Sequence, residues 1–167
     1  PFVFTTGSIA SASFTVLYKR QGLDSEYKTQ AVNAGTYDIK FVRAEDDNYK
    51  YFETVLTGVY VIEKAESRII TKPTGYSMYG NIIANRMVSD VDYVGDGQLM
   101  FAASPIKTSI VKVEWSDAET IYNLYDTGFS VAQFYLLVKL AEGENYKASE
   151  IVYSDAPIQM TNRPKSI

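Results

Sequence analysis

The sequence predicts an all-β chain of two tandem β-sandwich modules, and three observations predict it. Fourteen tyrosines and eight phenylalanines, with many Val, Ile and Thr, favour strands over helices. Short runs of alternating apolar residues are separated by Gly, Pro, Asn and Asp turn signals. One unit is also written twice. Its first copy is Asn33-Ala34-Gly35-Thr36-Tyr37-Asp38-Ile39-Lys40-Phe41 followed by Ala44-Glu45-Asp46-Asp47-Asn48-Tyr49-Lys50. Its second is Ser130-Val131-Ala132-Gln133-Phe134-Tyr135-Leu136-Leu137-Val138 followed by Ala141-Glu142-Gly143-Glu144-Asn145-Tyr146-Lys147. A chain of 167 residues has room for one domain or two small ones. The duplication favours modules at 1–66, truncated at its N-terminal side, and 67–167, with Ala65-Glu66-Ser67 as the junction. The start at Pro1 without a methionine reads as a mature or excised piece of a longer protein.

Composition excludes several function classes. There is no cysteine, hence no disulfide and no thiolate chemistry, and no histidine, the usual neutral-pH acid or base and commonest metal ligand. A net charge of -4 speaks against a nucleic-acid footprint, which needs a basic stripe. No apolar run approaches the ~18 residues of a membrane span.

In chain order, Phe2-Val3-Phe4 is an edge or first strand, and the small residues from Gly7 to Ser13 connect it onward. Ser13 to Lys19 is a strand with Phe14, Val16 and Tyr18 on one face. Gln21 to Ser25 is a turn, and Glu26 to Thr29 a short strand. Thr36 to Arg43 is the key strand, with Tyr37, Ile39 and Phe41 inward. Tyr51 to Leu56 and Val59 to Lys64 read as a hairpin around Thr57-Gly58. Lys72 to Gly75 breaks the next strand. Arg86 to Val94 should pair with Leu99 to Ala102 through the tight turn Gly95-Asp96-Gly97. Ile110 to Trp115 is a strand, and Ala118 to Asp126 fits a short helix or an edge strand. Ala132 to Leu140 is the second key strand. Glu150 to Tyr153 and Pro157 to Thr161 form a closing hairpin, and 162–167 a frayed tail.

Aligning Tyr49 with Tyr146 puts Tyr37 on Phe134, Ile39 on Leu136 and Phe41 on Val138. Inward parity is thus kept, and a one-residue slip would destroy it. Asn33-x-Gly35-x-Tyr37-x-Ile39 has the shape of the immunoglobulin tyrosine corner, in which a ring enters the core and its hydroxyl bonds to backbone just upstream. Gly35 would leave room for the ring. Phe134 keeps the ring and drops the hydroxyl, which implies a looser second turn. Gly35, Tyr37, Tyr49, Phe134 and Tyr146 are therefore the structural residues of the expectation.

Asn33-Ala34-Gly35-Thr36-Tyr37, then Asp47-Asn48-Tyr49, then Val61-Ile62-Glu63-Lys64-Ala65 resembles the bacterial immunoglobulin-like repeats of MBG or YDG type. The second unit is similar through Leu99-Met100-Phe101-Ala102, Trp115-Ser116 and Glu144-Asn145-Tyr146, with Ala132-Gln133-Phe134 in place of Ala-Gly-Thr-Tyr. The resemblance implies immunoglobulin-like β-sandwich modules on a cell-surface or secreted protein. The implied role is a non-catalytic structural or adhesive one, with an extracellular or cell-surface location. It also implies a monomer within a longer multi-module chain, with a protein or glycan as surface partner.

Glu45, Asp46 and Asp47 gather oxygen ligands as calcium would need, but their spacing matches no calcium loop and a solvated acidic turn is the stronger reading. Asp90-x-Asp92 with Asp96-Gly97 likewise reads better as a hairpin turn. No carboxylate pair, phosphate loop or activated serine motif stands out, so no enzyme, cofactor or metal is expected. The tyrosines are too many for two small cores. Tyr76, Tyr79, Tyr122 and Tyr125 of the second unit are the candidates for a glycan- or protein-binding face, against the plainer reading of strand propensity.

Overall fold

The computed structural model describes residues 14–74, 81–83, 91–104, 115–117, 121–123 and 133–159. Among them there is no helix, and the strands form small antiparallel sheets. The chain is all-β. It divides into two compact units, Pro1–Glu63 and Lys64–Ile167. Ala65, Glu66 and Ser67, expected as a junction, belong to the second unit: the Ala65 amide donates to Asn145 O and its carbonyl accepts from Lys147 N.

The first unit is a sheet of β1 (Thr15–Arg20), β2 (Gly35–Arg43) and β3 (Phe52–Ile62) in the order β1-β2-β3. β2 forms because its apolar residues alternate. Tyr37, Ile39 and Phe41 are buried, while Asp38, Lys40 and Val42 between them are half-exposed. Residues directly opposite in an antiparallel pair share a face. The core face therefore also carries Val16 and Tyr18 of β1 and Thr54, Leu56 and Tyr60 of β3, which pair with Phe41, Ile39 and Tyr37. The rings of Tyr18 and Tyr37 both lie against Tyr60, with centroids 5.8 and 6.1 Å apart.

Two expected elements of this unit take another form. The hairpin around Thr57-Gly58 is absent, because β3 runs unbroken for 11 residues. Its register on β2 shifts between Tyr37, opposite Tyr60, and Ile39, opposite Leu56. Thr57, Gly58 and Val59 therefore bulge against Asp38. Gly58 takes a φ of 66° there, and its amide donates to Asp38 Oδ1 at 2.8 Å. A bulge, like a turn, needs a residue that tolerates the left-handed region. The strand expected at Glu26 to Thr29 is only a bridge, in which Lys28 and Tyr18 exchange backbone bonds of 2.7 Å.

In the second unit β10 (Gln133–Leu140) is the centre. It is flanked by β7 (Leu99–Ser104), which in turn pairs with β8 (Ser116–Asp117). On β10 lie also β11 (Val152–Tyr153) and β12 (Ile158–Gln159). β4 (Arg68–Ile69) pairs with β6 (Tyr93–Val94), and β5 (Asn81–Ile83) with β9 (Ile121–Asn123). Phe101, Phe134, Leu136, Leu137, Val138 and Leu140 are almost wholly buried, each contributing about 1.5–3 kcal/mol of apolar transfer.

Here too two hairpins are replaced. Gly95-Asp96-Gly97 does not join paired strands, since β6 pairs with β4 while β7 pairs with β10. Glu150–Tyr153 and Pro157–Thr161 do not pair with each other either. Val138 opposes Val152 and Leu137 opposes Tyr153, whereas Phe134 opposes Ile158. The chain thus runs along β10 and shifts its register by two residues, with Asp155-Ala156-Pro157 bulging between. The segments at 2–13, 86–90, 110–114, 118–120, 124–126 and 162–167 lie outside the described residues, as does the turn before Phe134.

Candidate functional site

The best-built local geometry in the first unit is the bend into β2. Tyr37 is 3% exposed, and its hydroxyl donates to Asn33 O at 2.7 Å. That bond spans four residues and ties the bend to the ring buried beneath it. Gly35, with φ 151°, makes room for a different group from the one expected. A Cβ there would sit 2.8 Å from Arg20 Cδ and 3.0 Å from Cγ, so the space is taken by the Arg20 stem, not the tyrosine ring. The Arg20 guanidinium donates to Ala34 O at 3.3 Å. Tyr37→Phe should destabilise this unit by about 1 kcal/mol, the net worth of one intramolecular hydrogen bond. The check is a lower denaturant midpoint at unchanged slope.

The loop after β2 is built on Asp46. Asp46 Oδ1 accepts from the amides of Asn48 and Tyr49, both at 2.9 Å, and Oδ2 accepts from Arg43 Nη2 at 3.0 Å. Asp46 is the cap of an Asx turn, closed further by Asp46 N donating to Tyr49 O at 2.9 Å. Arg43 also stacks 3.9 Å from the Tyr49 ring centroid. Glu45 and Asp47 are exposed, and no group of three acidic side chains among the described residues is placed to hold a metal ion.

The Asn48 amide first, and then Tyr49 and Arg43, hold the Asp46 carboxyl below the usual aspartate range. A pKa lowered on folding gives a contribution that is complete above the unfolded-state value and lost as pH falls through the folded one. The turn should therefore loosen in acid, below the usual aspartate range. The Asn48 and Tyr49 amide resonances should titrate together there, and not in Asp46→Asn.

The corresponding loop of the second unit carries Gly143 where the first has Asp46, yet it makes the same turn. Gly143 N donates to Tyr146 O at 3.0 Å. The missing carboxylate comes from elsewhere in that unit. Asp96 Oδ2 accepts from Asn145 N at 2.7 Å, and Asp96 Oδ1 lies 1.9 Å from where a Gly143 Cβ would be. Lys64 Nζ adds bonds to the Glu142 carboxylate and to Gly143 O. Sequence reasoning missed this cap. Its one available signal was the exchange of Asp for Gly at the third position of an otherwise matching heptad.

Phe134 is 0% exposed on β10, and Tyr146 is half-buried and bridged to Ala65. Tyr76, Tyr79 and Tyr125 lie outside the described residues, and Tyr122 is described only as backbone within β9. Among the described residues, β3 carries a run of exposed apolar side chains: Phe52, Val55, Leu56, Val59 and Val61 are each 42–56% exposed. Sequence reasoning missed it because a hairpin would have folded these residues onto each other. The outer face beside them is a charge network. Lys40 and Tyr51 both bond Glu53, which lowers the Glu53 carboxyl through Tyr51 first and raises the Lys40 ammonium through Glu53.

No family model matches this chain, nor does any curated protein or solved structure.

Proposed function

We propose that this chain is a non-catalytic structural and adhesive segment of a bacterial cell-surface or secreted protein. It would consist of two immunoglobulin-like β-sandwich modules that act by spacing and stiffness. The observation that carries this reading is the correspondence between the units' central sheets. Each has a middle strand (β2, β10) flanked on one side by an antiparallel strand (β1, β7) and on the other by a strand with a two-residue register shift at the same place. In alignment, Asp38 and Tyr135 face the bulges, and each middle strand runs into a loop closed by the same backbone bond and a carboxylate cap. Independent sheets have no reason to share a bulge and a cap at aligned positions, because bulges are placed features of a strand pair. A spacer needs modules that hold their form under load, and antiparallel sheets with buried middle strands supply that.

Small-angle scattering tests the reading. An elongated pair of modules supports it, and one compact globule contradicts it.

A further inference from the structure

We infer that the first unit is a mechanical clamp: its sheet takes tension along its strands, and Asp38 is the pin that holds them in register. This deepens the reading of the chain as a spacer and rests on it for the tension itself.

The topology sets the direction of the load. β1 and β3 are the outer strands of the sheet, and both run antiparallel to β2 between them. They are therefore parallel to each other. β1 begins at Thr15, opposite Val42, while β3 ends at Ile62, opposite Gly35. Tension that reaches β1 from its N-terminal side and leaves β3 at Ile62 thus acts on diagonal corners of the sheet. The stretch of β2 from Gly35 to Val42 spans roughly 24 Å, and two strand spacings roughly 10 Å. The pull lies nearer the strand direction than across it. Ladder hydrogen bonds of an antiparallel pair stand perpendicular to the strands, so they are sheared together and not unzipped one after another. Beyond Ile62 the chain is soon held again, since Ala65 bonds Asn145 and Lys147 within the second unit.

Sliding of one strand past the next is what such a load drives, and Asp38 opposes it. Its Oδ1 accepts from Gly58 N of β3 at 2.8 Å and from Gln21 Nε2, just past β1, at 2.7 Å. One carboxylate oxygen ties the middle strand to both neighbours. It sits at the bulge of β3, where the register shifts between Tyr37 and Ile39. A bulge carries residues with no partner opposite, so it cannot slide along a regular ladder without opening it. The Gln21 amide adds a backbone bond to Thr36 O at 2.9 Å beside the pin.

The test is single-molecule force spectroscopy on the full chain. The sequence has no cysteine, so thiol handles go only where they are placed. Handles at Thr15→Cys and Glu63→Cys load the sheet along its strands. Handles at Thr15→Cys and Phe52→Cys load it across them, because Phe52 opposes Arg43 at the end where Thr15 opposes Val42. All three residues are exposed. Forced unfolding reads the unfolding barrier and not the equilibrium stability. The rupture force along the strands is expected to be roughly twofold or more that across them, since shear breaks the bonds together. Asp38→Ala should lower the first force and leave the second unchanged, because unzipping begins at the end of the sheet away from Asp38. Asp38→Asn keeps an oxygen that accepts both bonds and should keep the force. Gln21→Ala, which removes one of the two ties from an exposed side chain, should lower the force along the strands by less and serves if Asp38→Ala does not fold. Equal forces in the two directions overturn the clamp. Forces that fall alike in both directions in Asp38→Ala, or in Gln21→Ala in its place, overturn the pin. Equal forces with an elongated scattering profile would sink the clamp alone, whereas a compact globule would sink the spacer reading beneath it.

Discussion

Replacing Phe134 with alanine is expected to lower the stability of the second unit by about 3–5 kcal/mol, the range for truncating a large buried aromatic. The ring is 0% exposed and sits on the face that also holds Leu136, Val138 and Leu140, all buried. β10 pairs with β7, β11 and β12, so few neighbours can collapse into the space without breaking a ladder. Lost transfer energy and a persistent cavity therefore add. Urea unfolding should show a lower midpoint for the transition of this unit at unchanged slope. Tyr49→Ala gives the contrast: its ring is 40% exposed, so the change should cost far less. Equal costs for the two would mean that Phe134 is not the anchor of its sheet.

The second large effect is expected from Gly97→Ala. A Cβ at Gly97 would lie 1.8 Å from the Ala141 carbonyl oxygen and 2.8 Å from its carbon. Both are backbone atoms and cannot rotate away as the end of a side chain would. Ala141 is also tied to this same segment, its amide donating to Gln98 O at 2.8 Å. The methyl must push the 141–146 loop off the 96–98 segment and with it the Asp96 cap. Overpacking of this kind costs roughly 1–3 kcal/mol, and the lost cap adds to it. Gly22→Ala is the comparison, since nothing lies within 4 Å of its Cβ position and only its φ of 73° opposes the change. Gly97→Ala should be the more destabilising of the two in thermal unfolding.

Much of the fold was legible because β2 obeys a strict period of two and β10, though buried also at Leu137, keeps the same inward parity. Tyr37, Ile39 and Phe41 alternate with polar residues, and Phe134, Leu136 and Val138 repeat the parity. β3 was misread for a physical reason. Thr-Gly between two β-branched runs is the signal of a hairpin turn and of a bulge alike, because both ask for positive φ. The sequence carries no local mark of which partner the strand takes. Pairings of two-residue strands such as β4 with β6 were equally out of reach. Their register rests on contacts between residues over twenty positions apart.

The site was legible only in part. The Asn33-to-Tyr37 spacing fits a hydroxyl that reaches back four residues, which a local pattern can express. The Asp96 cap spans 49 residues to Asn145 and no local pattern can express that. Glu45, Asp46 and Asp47 read better as a solvated acidic turn than as ligands, but no local pattern says which of them caps it. The placement of Arg43 and of the Asn48 and Tyr49 amides picks out Asp46.

The central claim is that the loops Ala44–Lys50 and Ala141–Lys147 are one turn made twice, with its carboxylate supplied from within the loop in one copy and from Asp96 in the other. Asp46→Ala should release the Asn48 amide, and Asp96→Ala the Asn145 amide at the aligned position. Amide hydrogen exchange of the two variants measures this directly. Faster exchange at Asn48 in the one and at Asn145 in the other is the result expected. An Asn145 amide indifferent to Asp96→Ala would mean that the two loops are different structures.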